Sequence, residues 1–164
     1  IPNIEISDTR VIRMRTFSKA YGMAGARVGY AMAEENLIKS FEKIRNHFGM
    51  NRVAQKAALE ALSDNQWLFE MIKTVENGRQ RIYEIATNNN LKSIPSSTNF
   101  VAIDCGKDGN FAKKVLQELI SSGIFVRMPF VAPQDRCIRV SVGEDAELDK
   151  FEKVFPEALE RASK

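Results

Sequence analysis

The sequence predicts an α/β segment followed by an α+β layer unit. Two short strand-like runs, residues 11–16 and 27–32, flank a Gly- and Ala-rich stretch. Apolar residues at helical spacing then dominate up to about residue 90. Beyond that point strand-like and helix-like runs alternate, punctuated by Gly and Pro, as in domains whose helices cover a small, largely antiparallel sheet.

After the second strand, residues 33–46 place Leu37, Ile38, Phe41 and Ile44 on one helical face, at the spacing of three and four that a buried stripe requires. Gly49 and the asparagines at 46 and 51 break that pattern. Residues 52–62 are Ala-rich and predict a second helix. Ser63 or Asp64 suits the N-cap of a long third helix, which carries Trp67, Leu68, Met71, Val75, Ile82 and Ile85 and frays at residues 88–90. A strand is predicted at 100–104 and a turn at 105–109. An amphipathic helix at 110–122 then carries Phe111, Val115, Leu116 and Leu119 inward. Gly123 closes that helix. Strands follow at 124–128, stopped by Pro129, and at 137–142. A last helix at 146–162 buries Leu148, Phe151, Val154, Phe155 and Leu159.

A chain of 164 residues with 44% hydrophobic and 27% charged residues has the composition of a globular protein of one domain or two small ones. The net charge of +3 is not gathered into a basic run with interleaved aromatics, which argues against a nucleic-acid partner. No apolar stretch approaches a membrane span, so no membrane partner is expected. Cys105 and Cys137 lie in strand-like runs and read as buried free thiols, which fits a cytoplasmic location. His47 is the only histidine, so no metal site is expected.

The stretch Arg15-Thr-Phe-Ser18-Lys19-Ala-Tyr21-Gly22-Met-Ala-Gly25-Ala-Arg27-Val-Gly29-Tyr30 carries the chemistry. Lys19 follows Ser18, and Arg27 lies eight residues further on. Such a set can hold a phosphate-bearing aldehyde. A lysine amine is a nucleophile for the carbonyl, and an arginine fork matches phosphate oxygens. Taken singly, Ser18 reads equally as a turn residue, Arg27 as a surface arginine and Thr16 as an ordinary strand residue.

The whole string resembles the cofactor-lysine motif of fold-type I pyridoxal-phosphate enzymes, the class I/II aminotransferases, and is most similar to their histidinol-phosphate aminotransferase branch. Ser96-Ser-Thr-Asn99-Phe100 and Cys137-Ile-Arg139-Val-Ser-Val-Gly143 resemble two further segments of that branch, in order and spacing. The resemblance covers nearly the whole chain.

This resemblance implies pyridoxal 5'-phosphate as cofactor. It implies Lys19 as catalytic and cofactor-holding lysine, with Ser18, Arg27 and Thr16 as phosphate ligands. Arg139 would clamp the substrate carboxylate, Arg127 would lie near a substrate phosphate, and Asn99 would orient the substrate at the end of its strand. Each has a plainer reading. Arg139 alternates with apolar Ile138 and Val140, which also suits an exposed sheet face. Arg127 also suits a surface position, and Asn99 a cap or turn. Tyr21 reads as packing.

The implied reaction moves an amino group between an amino acid or amino-phosphate substrate and a 2-oxo acid, with histidinol phosphate and 2-oxoglutarate as the expected pair. Another amino-acid transaminase, aromatic included, a decarboxylase of the same fold, and a non-catalytic binding domain are the alternatives. The chain opens on Ile1 rather than Met, and relatives in the family are about twice as long. The expectation is therefore the C-terminal part of a pyridoxal-phosphate-dependent transferase fold: residues 1–64 end the large cofactor-binding domain, and residues 65–164 form the small α+β domain with its interdomain helix. The family's pyridine-nitrogen aspartate and ring-stacking aromatic lie upstream, so this segment alone is expected to be inactive. The full-length protein is expected to be a homodimer. Residues before Arg27 are expected to lack regular pairing, or to pair with another copy.

Overall fold

A computed structural model of the chain describes residues 3 and 5–164. Near the start, Arg13–Thr16 (β1) pairs antiparallel with Gly29–Met32 (β2), from Arg13 opposite Met32 to Thr16 opposite Gly29. A Cβ on Gly29 would stand 2.6 Å from the Arg15 carbonyl oxygen, so only glycine lets the strands close at this end. The expectation of unpaired residues before Arg27 is corrected here. β1 finds its partner within the chain, because the loop after it turns back on itself. Both strands are shorter than the sequence suggests. Arg27 itself lies outside β2, in the left-handed region at φ 52°.

Glu35–Phe41 (α1) starts on Glu34, whose carboxylate accepts the Leu37 N–H at 3.0 Å. The helix stops well before residue 46. Past Phe41 the ladder tightens, with the Lys43 N–H donating to Ser40 O and the Ile44 N–H to Phe41 O, and further on the Asn46 side chain accepts the Phe48 N–H at 3.0 Å. Ile44 is consequently 84% exposed instead of joining the apolar face. Arg52–Ser63 (α2) is capped by Asn51 and buries Ala54 and Ala58. Asn65–Asn88 (α3) is capped by Asp64, whose carboxylate accepts the Trp67 N–H at 2.9 Å.

The chain divides into two compact units, Ile1–Ile72 and Lys73–Lys164, with the division inside α3. The core of the first gathers Phe17 and Val28 with Ala54 and Ala58 of α2.

In the second unit Lys92–Ile94 (β3), Phe100–Asp104 (β4) and Cys137–Ser141 (β5) form an antiparallel sheet in that order. β3 went unread in the sequence because three residues are too few to show alternation. The expected strand at 124–128 reduces to one bridge, Arg127 opposite Arg139. Pro129 has no N–H to continue a ladder. Gly109–Ser121 (α4), capped by Asp108, and Asp145–Ala162 (α5), opened by a capping box of Glu144 and Glu147, complete the unit. Ile82 and Ile85 of α3, Val101 and Ile103 of β4, Val115 and Leu119 of α4, and Phe151 and Phe155 of α5 form its core. Full burial of each such side chain is worth about 1.5–3 kcal/mol. Among the described residues no helix is long and apolar enough to cross a membrane.

Candidate active site

The loop joining β1 to β2 is anchored by Phe17, which is only 1% exposed. Tyr21 and Tyr30 pack their rings on it, at centroid distances of 5.0 and 5.7 Å, so Tyr21 serves packing. The Phe17 N–H donates to Val28 O at 3.3 Å, and Phe17 O accepts the Met23 N–H at 2.9 Å. Inside this ring of contacts the Gly22 N–H donates to Lys19 O at 2.9 Å, with Gly22 at φ 68°. Lys19 therefore opens a tight turn and its side chain is exposed. Among the described residues Lys19 Nζ makes no hydrogen bond or ion pair. From α3, the Trp67 indole N–H donates to Ala20 O at 3.1 Å.

A 3-10 turn at Ala24–Ala26 ends on Arg27. A non-glycine residue in this backbone region is uncommon and costs about 1–3 kcal/mol where the surrounding structure holds it there. Its guanidinium donates back to Ala24 O at 2.6 Å. Thr16 Oγ1 accepts the Ser18 N–H at 3.1 Å. Thr16, Ser18 and Arg27, together with Arg15, line one open groove of about 430 Å³. The lining offers two hydroxyls and two guanidinium groups and no carboxylate. That donor set fits a phosphate. Lys19 is not part of the lining but directly follows Ser18 in the chain.

Arg139, Arg127 and Asn99 belong to the second unit. Arg139 is half-buried on β5 between Ile138 and Val140, which are 0% and 4% exposed, so the alternation read from the sequence holds. Its guanidinium lies over the Phe100 ring, 4.7 Å from the centroid, a cation–π contact that leaves the fork's edge free to bind an anion. Arg127 is exposed and opposite Arg139. Asn99 is exposed at the start of β4, and its carbonyl accepts the Val142 N–H at 2.9 Å.

Two residues escaped the sequence reading. Arg15 belongs to the groove together with both of its neighbours, Met14 and Thr16, so strand alternation carries no signal for it. Trp67 reaches the lysine turn from 47 residues away, a relation no local pattern carries. Both cysteines are free and buried. Burial pushes the Cys105 thiol up to about 12 and raises that of Cys137. No group of side chains suited to a metal ion is found among the described residues.

A hairpin presenting a lysine beside an anion groove, followed by a three-stranded α+β unit, is a partial pyridoxal-phosphate-dependent transferase fold. The family described as aminotransferase class I and II matches residues 2–155, and the chain belongs to it.

A crystal structure of histidinol-phosphate aminotransferase from Sinorhizobium meliloti in complex with pyridoxal-5'-phosphate is similar at a TM-score of 0.90 and 49% identity, over 95% of this chain and 43% of that one. Histidinol-phosphate aminotransferase 2 of Carboxydothermus hydrogenoformans is 39% identical over 84% of this chain and 37% of its own length. The Bacillus subtilis (strain 168) histidinol-phosphate aminotransferase is 36% identical over 89% of this chain and 40% of its own. The chain thus spans about two fifths of the length of the curated relatives it matches.

Proposed function

We propose that this chain carries the lysine-bearing part of an aminotransferase that uses pyridoxal 5'-phosphate and moves an amino group between histidinol phosphate and 2-oxoglutarate. The observation that supports it most is the groove of Thr16, Ser18 and Arg27 beside an exposed Lys19 whose Nζ has no partner among the described residues. In this reading residues 1–64 end a cofactor-holding domain and residues 65–164 form a small domain. The whole protein acts as a cytoplasmic homodimer.

When bound, the cofactor supplies an aldehyde that joins the amine and an electron sink for the bond that breaks. The chain's own residues do the rest. Arg27, Ser18 and Thr16 hold the phosphate by charge-assisted and hydroxyl hydrogen bonds. Lys19 Nζ would be the group that holds the cofactor's aldehyde carbon, and the same nitrogen, when free, would be placed to take a proton from substrate Cα, so that one group would serve as anchor and base. Arg139 would donate to the substrate carboxylate. Arg127, opposite it, suits a phosphate in one half-reaction.

The test is turnover by the full-length protein loaded with pyridoxal 5'-phosphate. Glutamate formed from histidinol phosphate and 2-oxoglutarate, far faster than from phenylalanine or tyrosine, supports the reading. Preference for an aromatic donor, or release of carbon dioxide in place of amino transfer, replaces it with one of the alternatives.

A further inference from the structure

We propose that Trp67 is a positioning residue for Lys19, acting through the carbonyl of Ala20. The proposal rests on the reading of Lys19 as the aldehyde-holding lysine. Because Lys19 Nζ has no partner of its own among the described residues, its placement depends on the backbone that carries it. Two of the turn's hydrogen bonds are internal, Gly22 to Lys19 O and Met23 to Phe17 O. The indole bond to Ala20 O comes instead from α3, from a residue 47 positions on.

Trp67 stands in the first turn of α3, and its indole is a short strut to the lysine turn with only two side-chain torsions. A tryptophan kept for burial alone would be enclosed, yet Trp67 is 45% exposed. Phenylalanine could fill the same space. Only the indole offers a donor that reaches the carbonyl beside Lys19.

The test compares wild type with Trp67→Phe in the full-length protein. Lysine amine and aldehyde lose water to form a C=N bond, and borohydride adds hydride to it. The modified Lys19 peptide is then counted by mass across a pH series. The expected result is a shifted pH midpoint for trapping. Loss of one hydrogen bond is also expected to lower kcat about fivefold to tenfold with KM little changed. Asp64→Ala, which weakens the same helix end but keeps the indole donor, should leave the trapping midpoint in place.

Wild type that traps nothing on Lys19 overturns the reading of the lysine itself. Wild type that traps while Trp67→Phe keeps the same midpoint and kcat overturns the strut. An equal shift in Asp64→Ala also overturns it, as a general loosening of α3. Should Trp67→Phe fold poorly, 3-benzothienylalanine at position 67 keeps the bicyclic shape without the donor, and the same midpoint decides.

Discussion

Arg127 and Arg139 stand directly opposite each other in one antiparallel bridge and exchange both backbone hydrogen bonds, at 3.2 and 2.6 Å. Directly paired residues send their side chains to the same face of a sheet. Like charges so placed repel by up to about 1 kcal/mol, and an anion between them removes that cost. Phe100 supports Arg139 from beneath, whereas Arg127 is open to solvent.

The two arginines should therefore separate by substrate in the full-length enzyme. Arg139→Ala is expected to lower kcat/KM for both half-reactions, at a cost of about 2–5 kcal/mol for a lost charge-assisted pair. Arg127→Ala should impair the phosphate-bearing substrate far more than glutamate. Steady-state kinetics with both substrates read this out, and equal losses on both would remove the phosphate role from Arg127.

Arg27 combines the phosphate-ligand role proposed for it with an unfavourable backbone. Arg27→Gly should unfold at higher urea than Arg27→Ala, by about 1–2 kcal/mol, because glycine adopts the left-handed region without the Cβ clash. Both variants should lose most of their affinity for pyridoxal 5'-phosphate. Urea unfolding beside a cofactor titration checks the pair.

Gly78 sits inside α3, where a Cβ would overlap Val142. Gly78→Ala should destabilise the second unit by about 1–3 kcal/mol through overpacking, despite the roughly 1 kcal/mol that alanine gains in helix propensity. Adding Val142→Ala should recover part of the loss. Thermal melts of the single and double variants measure the coupling.

The buried thiols set an alkaline limit. The folded state holds Cys105 neutral up to about 12, whereas an unfolded thiol ionises near 8.5. A folded value above the unfolded one gives stability that is complete below the unfolded pKa and drains away as pH rises towards the folded one. The urea midpoint of wild type should fall from about pH 8.5 upward more steeply than that of Cys105→Ala. Identical slopes would show that Cys105 contributes nothing to alkaline loss.

What could be read in the sequence was local. Asp64 caps α3 and Gly123 follows α4 at φ 74°, because cap chemistry depends on a few adjacent residues. The apolar stripes of α4 and α5 reached the core for the same reason. The lysine motif was legible as a string of residues, but its groove was not, since the left-handed Arg27 and the inclusion of Arg15 follow from how the loop folds back. Pairings across the chain stayed hidden. Neither Trp67 with Ala20 nor Arg127 with Arg139 leaves a periodic trace. The early end of α1 was missed because the backbone past Phe41 tightens into turns bonded three residues back, while the hydrophobic spacing runs on.

The groove has a kinetic meaning as well. Its described lining residues lie between Met14 and Gly29, so closing it requires only a hairpin, an event on the order of 1–10 μs. The seating of Arg139 over Phe100 instead needs β5 to find β4, a more distant partner in the chain whose pairing waits on a slower search. Under the roles proposed for them, damage to those later pairings can leave the phosphate groove formed while the arginine seat for substrate is lost. The two abilities are therefore separable by where a mutation falls along the chain.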